Sequence, residues 1–288
     1  MNKTKNPKLP RLKLSSLFAW YPLIEKVVST PKTVMIPMKR EFRSFDEALS
    51  YEHTEEPEMR RLIDAAIGAV PFLGGYPIFL RSDEASNKHD WRESCFVTSD
   101  QEMERGVKNI LEFTLMQMFG LSFGGIVVRE FLELPHVFHA FSGMPVSREF
   151  RYFVKNGSIL CRHQYWFPSC MRRVDREDWL PRLRKLQVLD EKTKDVLDGY
   201  ALKVSEAVEP LKASENCWSV DFCFAKGRGW ILTDMAVGND SYHYTRCPNS
   251  PEDQKKMYPD PEDLSEVTTL GSIKKKALGL EKFLNEAQ

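Results

Sequence analysis

An asparagine–glycine pair between two alternating segments is the feature that most constrains how this chain can fold. Residues 147–166 read SREFRYFVKNGSILCRHQYW, and apolar and polar side chains alternate on both sides of Asn156-Gly157. Asn-Gly favours the two-residue turn of a β-hairpin, and alternation with period two is typical of strands with one buried face. We therefore predict a hairpin whose strands are Glu149–Val154 and Ile159–Tyr165.

Two arginines lie at the start of the first predicted strand. Arg148 and Arg151 stand among Phe150, Tyr152 and Phe153, on a strand that should be largely buried. A buried guanidinium needs an anionic partner, because an unpaired buried charge is costly. For a single arginine, a carboxylate of the protein would be the favoured partner. Two arginines on one strand favour a phosphate or carboxylate of a ligand.

A second predicted hairpin carries two isolated aspartates. The segments Ser219–Ala225 and Gly229–Met235 flank a glycine-rich turn, and each contains one acidic residue, Asp221 or Asp234. Across a hairpin, two such carboxylates can reach one divalent cation, and oxygen ligands of this kind suit Mg²⁺ bound with the phosphates of a nucleotide. Asn239 supplies a further oxygen. The alternative for either aspartate is an ion pair with one of the two arginines.

A polar loop follows an earlier predicted strand, Tyr76–Arg81. The loop is rich in small residues and contains Lys88. Free backbone N–H groups and an ammonium group would lie side by side there, which suits phosphate oxygens. An exposed turn is the alternative, since the loop lacks the P-loop pattern. A further strand is predicted at Ile126–Leu134, with Glu130 and Glu133 near its end.

Helical periodicity accounts for much of the remaining chain. Apolar residues recur at three- and four-residue spacing in Pro57–Ala69, Ser99–Met118 and Glu191–Leu211. This spacing predicts amphipathic helices, each with one face towards a core.

The composition limits the expected partners. The 41 Lys and Arg residues balance 41 Asp and Glu residues, so the overall charge does not favour nucleic acid or a membrane surface. No apolar run approaches the roughly 20 residues of a membrane helix, and the basic start lacks the apolar segment of a secretory signal. The six cysteines are scattered, with no C-x-x-C pair and no histidine at the spacing expected of a metal ligand. This disfavours zinc and favours free thiols in a reducing, cytoplasmic setting.

Four segments, taken in chain order, resemble those of an ATP-grasp domain. They are FLRSDEASNKHDW, VVREFLEL, the hairpin at 147–166, and WSVDFCF followed by GWILTDMAVGND. The pattern, which spans about Pro71 to Tyr244, is most similar to the two-arginine-and-lysine clade of that superfamily and to the related cell-division-cycle translation-factor assembly proteins. The resemblance implies an α+β fold of two lobes, with largely antiparallel sheets and flanking helices around a nucleotide cleft.

The same resemblance divides the chain. It implies a small lobe at residues 71–134 and a large lobe at residues 135–244, with a helical insertion at residues 168–211. Residues 1–70 would form an N-terminal support region. Residues 245–288 would form a C-terminal tail that can contain a helix.

The resemblance also implies that ATP lies between the two lobes. Lys88 and Arg81 would grip the phosphates, the backbone near Glu130–Leu132 would contact the adenine edge, and Glu133 would contact the ribose. The implied cofactor-binding residues are Arg81, Lys88, Glu130, Phe131, Leu132 and Glu133.

The implied catalytic and metal-binding residues lie on the two hairpins. Arg148 and Arg151 would contact the γ-phosphate or an acyl-phosphate, and Asp221 and Asp234 would hold Mg²⁺. One position departs from the family pattern, in which an acidic residue is followed two positions later by Asn. Here Ala236 follows Asp234 at that spacing, so a second metal would depend on Asn239 acting after a bulge.

The implied activity is that of an ATP-dependent carboxylate–amine ligase of the peptide type. A substrate carboxylate would attack the γ-phosphate, and an amine would open the resulting acyl-phosphate. The expected partners are ATP and carboxylate and amine substrates, either small molecules or peptides. The alternative is an ATP-binding assembly or scaffolding protein that docks another polypeptide without ligation. The altered metal motif and the long charged helix favour this alternative.

Overall fold

The computed structural model describes residues 13–39, 57–118, 124–211, 217–244 and 246–252. Its helices are α1 (Leu17–Ile24), α2 (Pro57–Leu73), α3 (Asp100–Met118), α4 (Trp179–Leu186) and α5 (Glu191–Ala207). The first six strands are β1 (Thr33–Pro37), β2 (Ile78–Ser82), β3 (Phe96–Val97), β4 (Gly125–Glu130), β5 (His136–Ala140) and β6 (Met144–Ser147). The last four strands are β7 (Glu149–Lys155), β8 (Ser158–Gln164), β9 (Trp218–Ala225) and β10 (Gly229–Val237).

The small lobe is an antiparallel sheet in the order β1-β4-β2-β3. One face of the sheet packs on helices α2 and α3 through buried aliphatic residues such as Leu80 and Val128. The close pairing of β1 and β4 requires glycine at position 125, because a Cβ atom there would lie 2.1 Å from the carbonyl oxygen of Ile36. The other face of the sheet carries Arg81 and Arg129 towards the large lobe, since strand side chains alternate between faces.

The large lobe is an antiparallel sheet in the order β10-β9-β7-β8. One face packs on α1 and α5 and buries Phe150, Tyr152 and Phe222. Asn156 and Gly157 both have positive φ, at 49° and 69°, and Lys155 pairs with Ser158. These values are those of the two-residue turn that Asn-Gly favours, so the predicted hairpin is confirmed.

The structure confirms the predicted fold class, an α+β fold of two lobes with antiparallel sheets and flanking helices. The described N-terminal residues are divided between the lobes: α1 lies in the core of the large lobe, whereas β1 and α2 belong to the small lobe. A β5–β6 hairpin and helix α4 join the core of the small lobe. The predicted C-terminal helix lies outside the described residues. Within the described part of the chain, no helix is both long and apolar enough to cross a membrane.

Candidate functional site

A cleft lies between the two sheets. Its empty volume is about 710 Å³, part of which is open solvent. Aromatic and aliphatic side chains, including Phe79, Trp91 and Met144, form much of its wall. The residues predicted from the sequence that line it are Arg81, Lys88, Glu130, Phe131, Leu132 and Asp234.

Arg129, on β4, also lines this cleft and was missed by the sequence analysis. Its guanidinium is buried, and Nη1 donates a hydrogen bond to the carbonyl oxygen of Thr233. Its Nε and Nη2 atoms are buried and have no hydrogen-bond partner among the described residues. Burial, with a smaller contribution from neighbouring Arg81, lowers the pKa of Arg129 to about 9. Buried unpaired donors are costly, so this side chain is suited to receive an anion.

Arg81 lies beside Arg129 on the same face of the small sheet. Its Nη1 atom is 2.8 Å from Oδ1 of Asp234, and its Nε donates to the carbonyl oxygen of Ser82 at 2.9 Å. Burial raises the pKa of Asp234, but Arg81, Lys88 and Arg129 together lower it below its usual value. Asp234 is therefore an ionised carboxylate held among three cations.

Lys88 begins a short 3₁₀ turn after β2 and reaches into the cleft. Its Nζ atom lies 3.2 Å from the hydroxyl of Tyr165 and 3.7 Å from Oε1 of Glu149. Burial lowers the pKa of Lys88, but its acidic neighbours, Glu149 first, outweigh that effect and raise the pKa overall. Burial raises the pKa of Glu149 to about 7, despite the attraction of Lys88. The Lys88 ammonium is thus charged and available to an anionic ligand.

The two predicted aspartates lie in one row across the large sheet. Strand register pairs Arg151 with Asp221 and Asp221 with Asp234, with a β-bulge between Leu232 and Asp234. Arg151 donates from Nε and Nη2 to the two carboxylate oxygens of Asp221, at 2.7 and 2.8 Å. Its Nη1 donates to the carbonyl oxygen of Tyr242 at 3.0 Å. Asp221 therefore forms the internal ion pair that the sequence analysis left open as an alternative.

The donor set at this row fits one magnesium ion better than two. Asp221 and Asp234 face each other across a strand pair and carry the carboxylate oxygens that Mg²⁺ prefers. Only Asp234 lines the cleft, because both carboxylate oxygens of the buried Asp221 accept from Arg151. Ala236, two residues after Asp234 on the same face, offers no side-chain oxygen. Asn239 is exposed, lies in the 3₁₀ turn Gly238–Asp240, and is not among the residues that line the cleft.

Arg148 is not placed with Arg151, contrary to the predicted two-arginine clamp. The two residues are three positions apart, so their side chains leave opposite faces of the strand. Arg148 lies near the Trp230 ring and donates to the carbonyl oxygen of Val188 and to Asp190, the latter at 3.1 Å. Residues two positions apart in a strand share a face, so Glu149 lies on the face that carries Arg151.

The two glutamates after β4 also differ in position. Glu130 lines the cleft, and its carboxylate accepts hydrogen bonds from the Lys32 backbone N–H, at 2.7 Å, and from Arg228. Glu133 is exposed, pairs with Lys226 at 2.7 Å and does not line the cleft. The structure therefore does not place Glu133 at the expected ribose position.

A second cavity adjoins the cleft, and Lys88 and Trp166 line both. Its empty volume is about 760 Å³, including open solvent. Arg151, His89 and Tyr165 are among its lining residues. A ligand in this cavity would lie next to both Lys88 and Arg151.

Comparisons with known proteins place the chain in a family. The profile of the ATP-grasp domain of the two-arginine-and-lysine clade, family 3, matches residues 72–256, whereas a search of curated proteins finds no match. Similar solved structures include Cdc123 from Schizosaccharomyces pombe, at 21% identity and a TM-score of 0.46 over 78% of this chain and 83% of that chain. VanG D-Ala:D-Ser ligase from Enterococcus faecalis has 13% identity and a TM-score of 0.46 over 77% of this chain and 52% of that chain. Because the profile covers well over half of its residues, this chain belongs to family 3 of the two-arginine-and-lysine clade of ATP-grasp domains.

Proposed function

We propose that this protein binds ATP with Mg²⁺ in the cleft and joins a carboxylate to an amine through an acyl-phosphate. The observation that carries the proposal is the convergence of Arg81, Lys88 and Arg129 on one cleft, with Asp234 among them. Family membership supports an ATP-dependent ligase in general terms. The particular reaction and the roles of the residues are the proposal.

The phosphates of ATP are the anion that suits this cluster. Arg129 has two buried donors without a partner among the described residues, and a phosphate oxygen would accept from them. Lys88 adds a charge at the boundary between the two cavities. The aromatic wall near Phe79 and Phe131 is suited to the adenine ring, with the backbone of 130–132 beside it.

Asp221 and Asp234 are the residues that would hold magnesium. When bound, the ion would supply positive charge to the phosphate oxygens during phosphoryl transfer. In the described structure both carboxylates pair with arginines, Asp221 with Arg151 and Asp234 with Arg81. These ion pairs fix the positions of both carboxylates.

The second cavity is the proposed place of the acceptor substrates. A substrate carboxylate held there near Arg151 would attack the γ-phosphorus of ATP, with ADP leaving. An amine would then attack the acyl carbon, forming the amide and releasing phosphate. Arg151, Lys88 and Arg129 would stabilise the charge on the transferred phosphoryl group, as preorganised cations do in such reactions.

The alternative, an ATP-binding assembly protein without ligase activity, is favoured by one observation. Ala236 leaves the row of metal ligands without the amide that the family pattern has two residues after the acidic position. If the protein is a ligase with a weakened second metal site, we expect ATP binding and turnover to depend more strongly on the Mg²⁺ concentration in Ala236→Asn than in the wild-type protein. If ATP binding and turnover are unchanged over a magnesium titration, position 236 has no role in metal binding.

Calorimetric titration with ATP, with and without magnesium, tests the proposal. The same samples are then assayed for ADP and phosphate, with and without a pooled mixture of amino acids and peptides. Binding with mixture-dependent ADP release supports the ligase, whereas binding without release supports the assembly protein. Absence of binding would refute both.

Variants locate the site in the same assay. We expect Lys88→Ala and Asp221→Ala each to weaken binding of ATP with magnesium. Arg162→Ala is the matched control, because Arg162 pairs with Asp198 and lines neither cavity. Unchanged ATP affinity in both site variants would remove the site as assigned.

A further inference from the structure

Two cysteines and two histidines meet at the edge of the large lobe, away from the residues proposed to bind ATP. One nitrogen or sulfur atom from each lies within 4.8 Å of the corresponding atom of every other. Sγ of Cys161 lies 3.1 Å from Nε2 of His243. The four residues are Cys161, His163, His243 and Cys247.

The fold brings these side chains together from two segments. Cys161 and His163 alternate on β8, so both leave the same face of the sheet. His243 and Cys247 belong to the segment after β10, which crosses that face. The His243 ring stacks on Phe153, with centroids 3.8 Å apart and planes at 8°, and this contact fixes the orientation of the imidazole.

The chemistry of the cluster indicates a ligand. Nε2 of His163 is buried and has no hydrogen-bond partner among the described residues, a costly state for a polar atom. Cys161 and Cys247 are free thiols in the structure, and Cys247 is 6% exposed. A metal ion would use the orphaned nitrogen and both sulfurs at once.

We propose that these four side chains form a zinc site. Two sulfurs and two imidazole nitrogens are a common donor set for tetrahedral zinc, with bonds of about 2.0–2.3 Å. Four atoms that all lie within 4.8 Å of one another fit inside a sphere of about 2.9 Å radius, so each ligand atom is no more than about 1 Å beyond zinc bonding distance from a common centre. Four protein ligands leave no open position, which makes the site structural rather than catalytic.

The proposed site would overturn the expectation that zinc is disfavoured. That expectation rested on the absence of C-x-x-C and of a histidine at ligand spacing, but the ligands here follow the spacings C-x-H at 161–163 and H-x-x-x-C at 243–247. Each half supplies two ligands. Neither half is diagnostic without the other.

Zinc binding would also fix a residue next to the proposed ATP site. Tyr242 precedes the ligand His243, and its carbonyl oxygen accepts the Nη1 hydrogen bond of Arg151. An ion holding His243 and Cys247 to β8 would anchor that carbonyl. The zinc site does not depend on the proposed function, because its ligands line neither cavity.

The test is the metal content of the full-length protein, purified under reducing conditions without a metal-affinity tag. We expect about one zinc ion per chain by elemental analysis. After zinc removal, Co²⁺ should produce the visible bands of a tetrahedral site together with a thiolate-to-metal charge-transfer band. The thiols of Cys161 and Cys247 should be protected from alkylation by zinc and exposed by a chelator.

Matched variants make the test specific. Cys161→Ser and Cys247→Ser should each lose zinc and the charge-transfer band. Cys170→Ser should keep both, since Cys170 is a half-buried free thiol outside the cluster. Reduced wild-type protein that binds neither Zn²⁺ nor Co²⁺ would overturn the proposal, as would a disulfide between Cys161 and Cys247 that persists in reductant. Because the wild-type Co²⁺ spectrum is a direct reading, poor folding of a variant would not mask the result.

Discussion

Replacing Arg129 by methionine separates a ligand-binding role from a structural one. The guanidinium of Arg129 is buried, lies beside Arg81, and donates a hydrogen bond to the carbonyl oxygen of Thr233. Its two other donor atoms have no partner among the described residues. Methionine has a similar length and no charge to desolvate, so Arg129→Met should leave the unliganded protein equally stable or more stable.

The same substitution should weaken ATP binding strongly. A hydrogen bond to a charged group contributes about 1.5–3 kcal/mol, and about 1.4 kcal/mol corresponds to a tenfold change in Kd. Loss of one arginine–phosphate contact therefore raises the Kd for ATP about tenfold to 100-fold. At an ATP concentration of about 100 times the wild-type Kd, ligand binding stabilises the wild-type protein by about 2.7 kcal/mol. If the Kd of the variant is about 100-fold higher, the same ATP concentration stabilises the variant by only about 0.4 kcal/mol.

Thermal unfolding with and without ATP and magnesium measures both effects. At about 2–4 °C per kcal/mol, ATP should raise the Tm of the wild-type protein by about 5–10 °C and that of Arg129→Met by about 1 °C. Arg162→Met is the control: it removes an ion pair with Asp198, remote from both cavities, and should keep the full ATP shift. If Arg129→Met lowers the unliganded Tm by several degrees and keeps the ATP shift, Arg129 is a structural residue and the reasoning fails.

Three further variants test the neighbouring charges. Lys88→Met should raise the Kd for ATP by about tenfold or more, measured by calorimetry; an unchanged Kd would place the phosphates elsewhere. Asp221→Asn leaves Arg151 without its carboxylate and should lower the free energy of unfolding by about 3–5 kcal/mol, measured by urea denaturation. An unchanged free energy of unfolding would mean that the Arg151–Asp221 ion pair does not form in solution. Glu149 has a pKa of about 7 in the folded protein against an ordinary value of 4.5, so between these values the folded state keeps a proton that the unfolded state has released. The stability of the wild-type protein relative to that of Glu149→Gln should therefore fall as pH rises from 4.5 to about 7 and then level off. Urea denaturation of both proteins across a pH series measures this difference, which is needed because burial lowers the pKa of His163 and gives both proteins a slope of the opposite sign. A difference that does not change with pH would mean that Glu149 keeps an ordinary pKa.

Local turn chemistry made the large sheet predictable. Asn-Gly at 156–157 fixed one hairpin, and the glycine-rich turn before Gly229 fixed the other. The register from that second turn would pair Asp221 with Thr233, and Asp221 meets Asp234 only because of the β-bulge after Leu232. Family resemblance supplied the arrangement of the two lobes, which no local pattern contains.

The sequence was less informative where the outcome depended on which way a side chain points. Arg148 could share a face with Arg151 only through a β-bulge between them, which the sequence does not exclude and the strand register from Glu149 to Val154 does not contain. Arg129 was overlooked because an arginine within an apolar strand can extend to solvent, and only the packing of the second lobe over β4 shows that it cannot. The Cys and His cluster was invisible for a related reason, since its halves are about 80 residues apart and meet only through tertiary structure.

The path of the N-terminal segment has a mechanical consequence. The chain passes from α1, in the core of the large lobe, to β1 in the small sheet, and it leaves the small sheet again after β4. At the first point, the Leu232 backbone N–H donates to the carbonyl oxygen of Ser29, and at the second the Lys226 backbone N–H donates to that of Glu133. Both points lie beside Glu130, whose carboxylate accepts from the Lys32 backbone N–H and from Arg228. Backbone hydrogen bonds therefore tie the small sheet to the β9–β10 hairpin where the chain enters the sheet and where it leaves it.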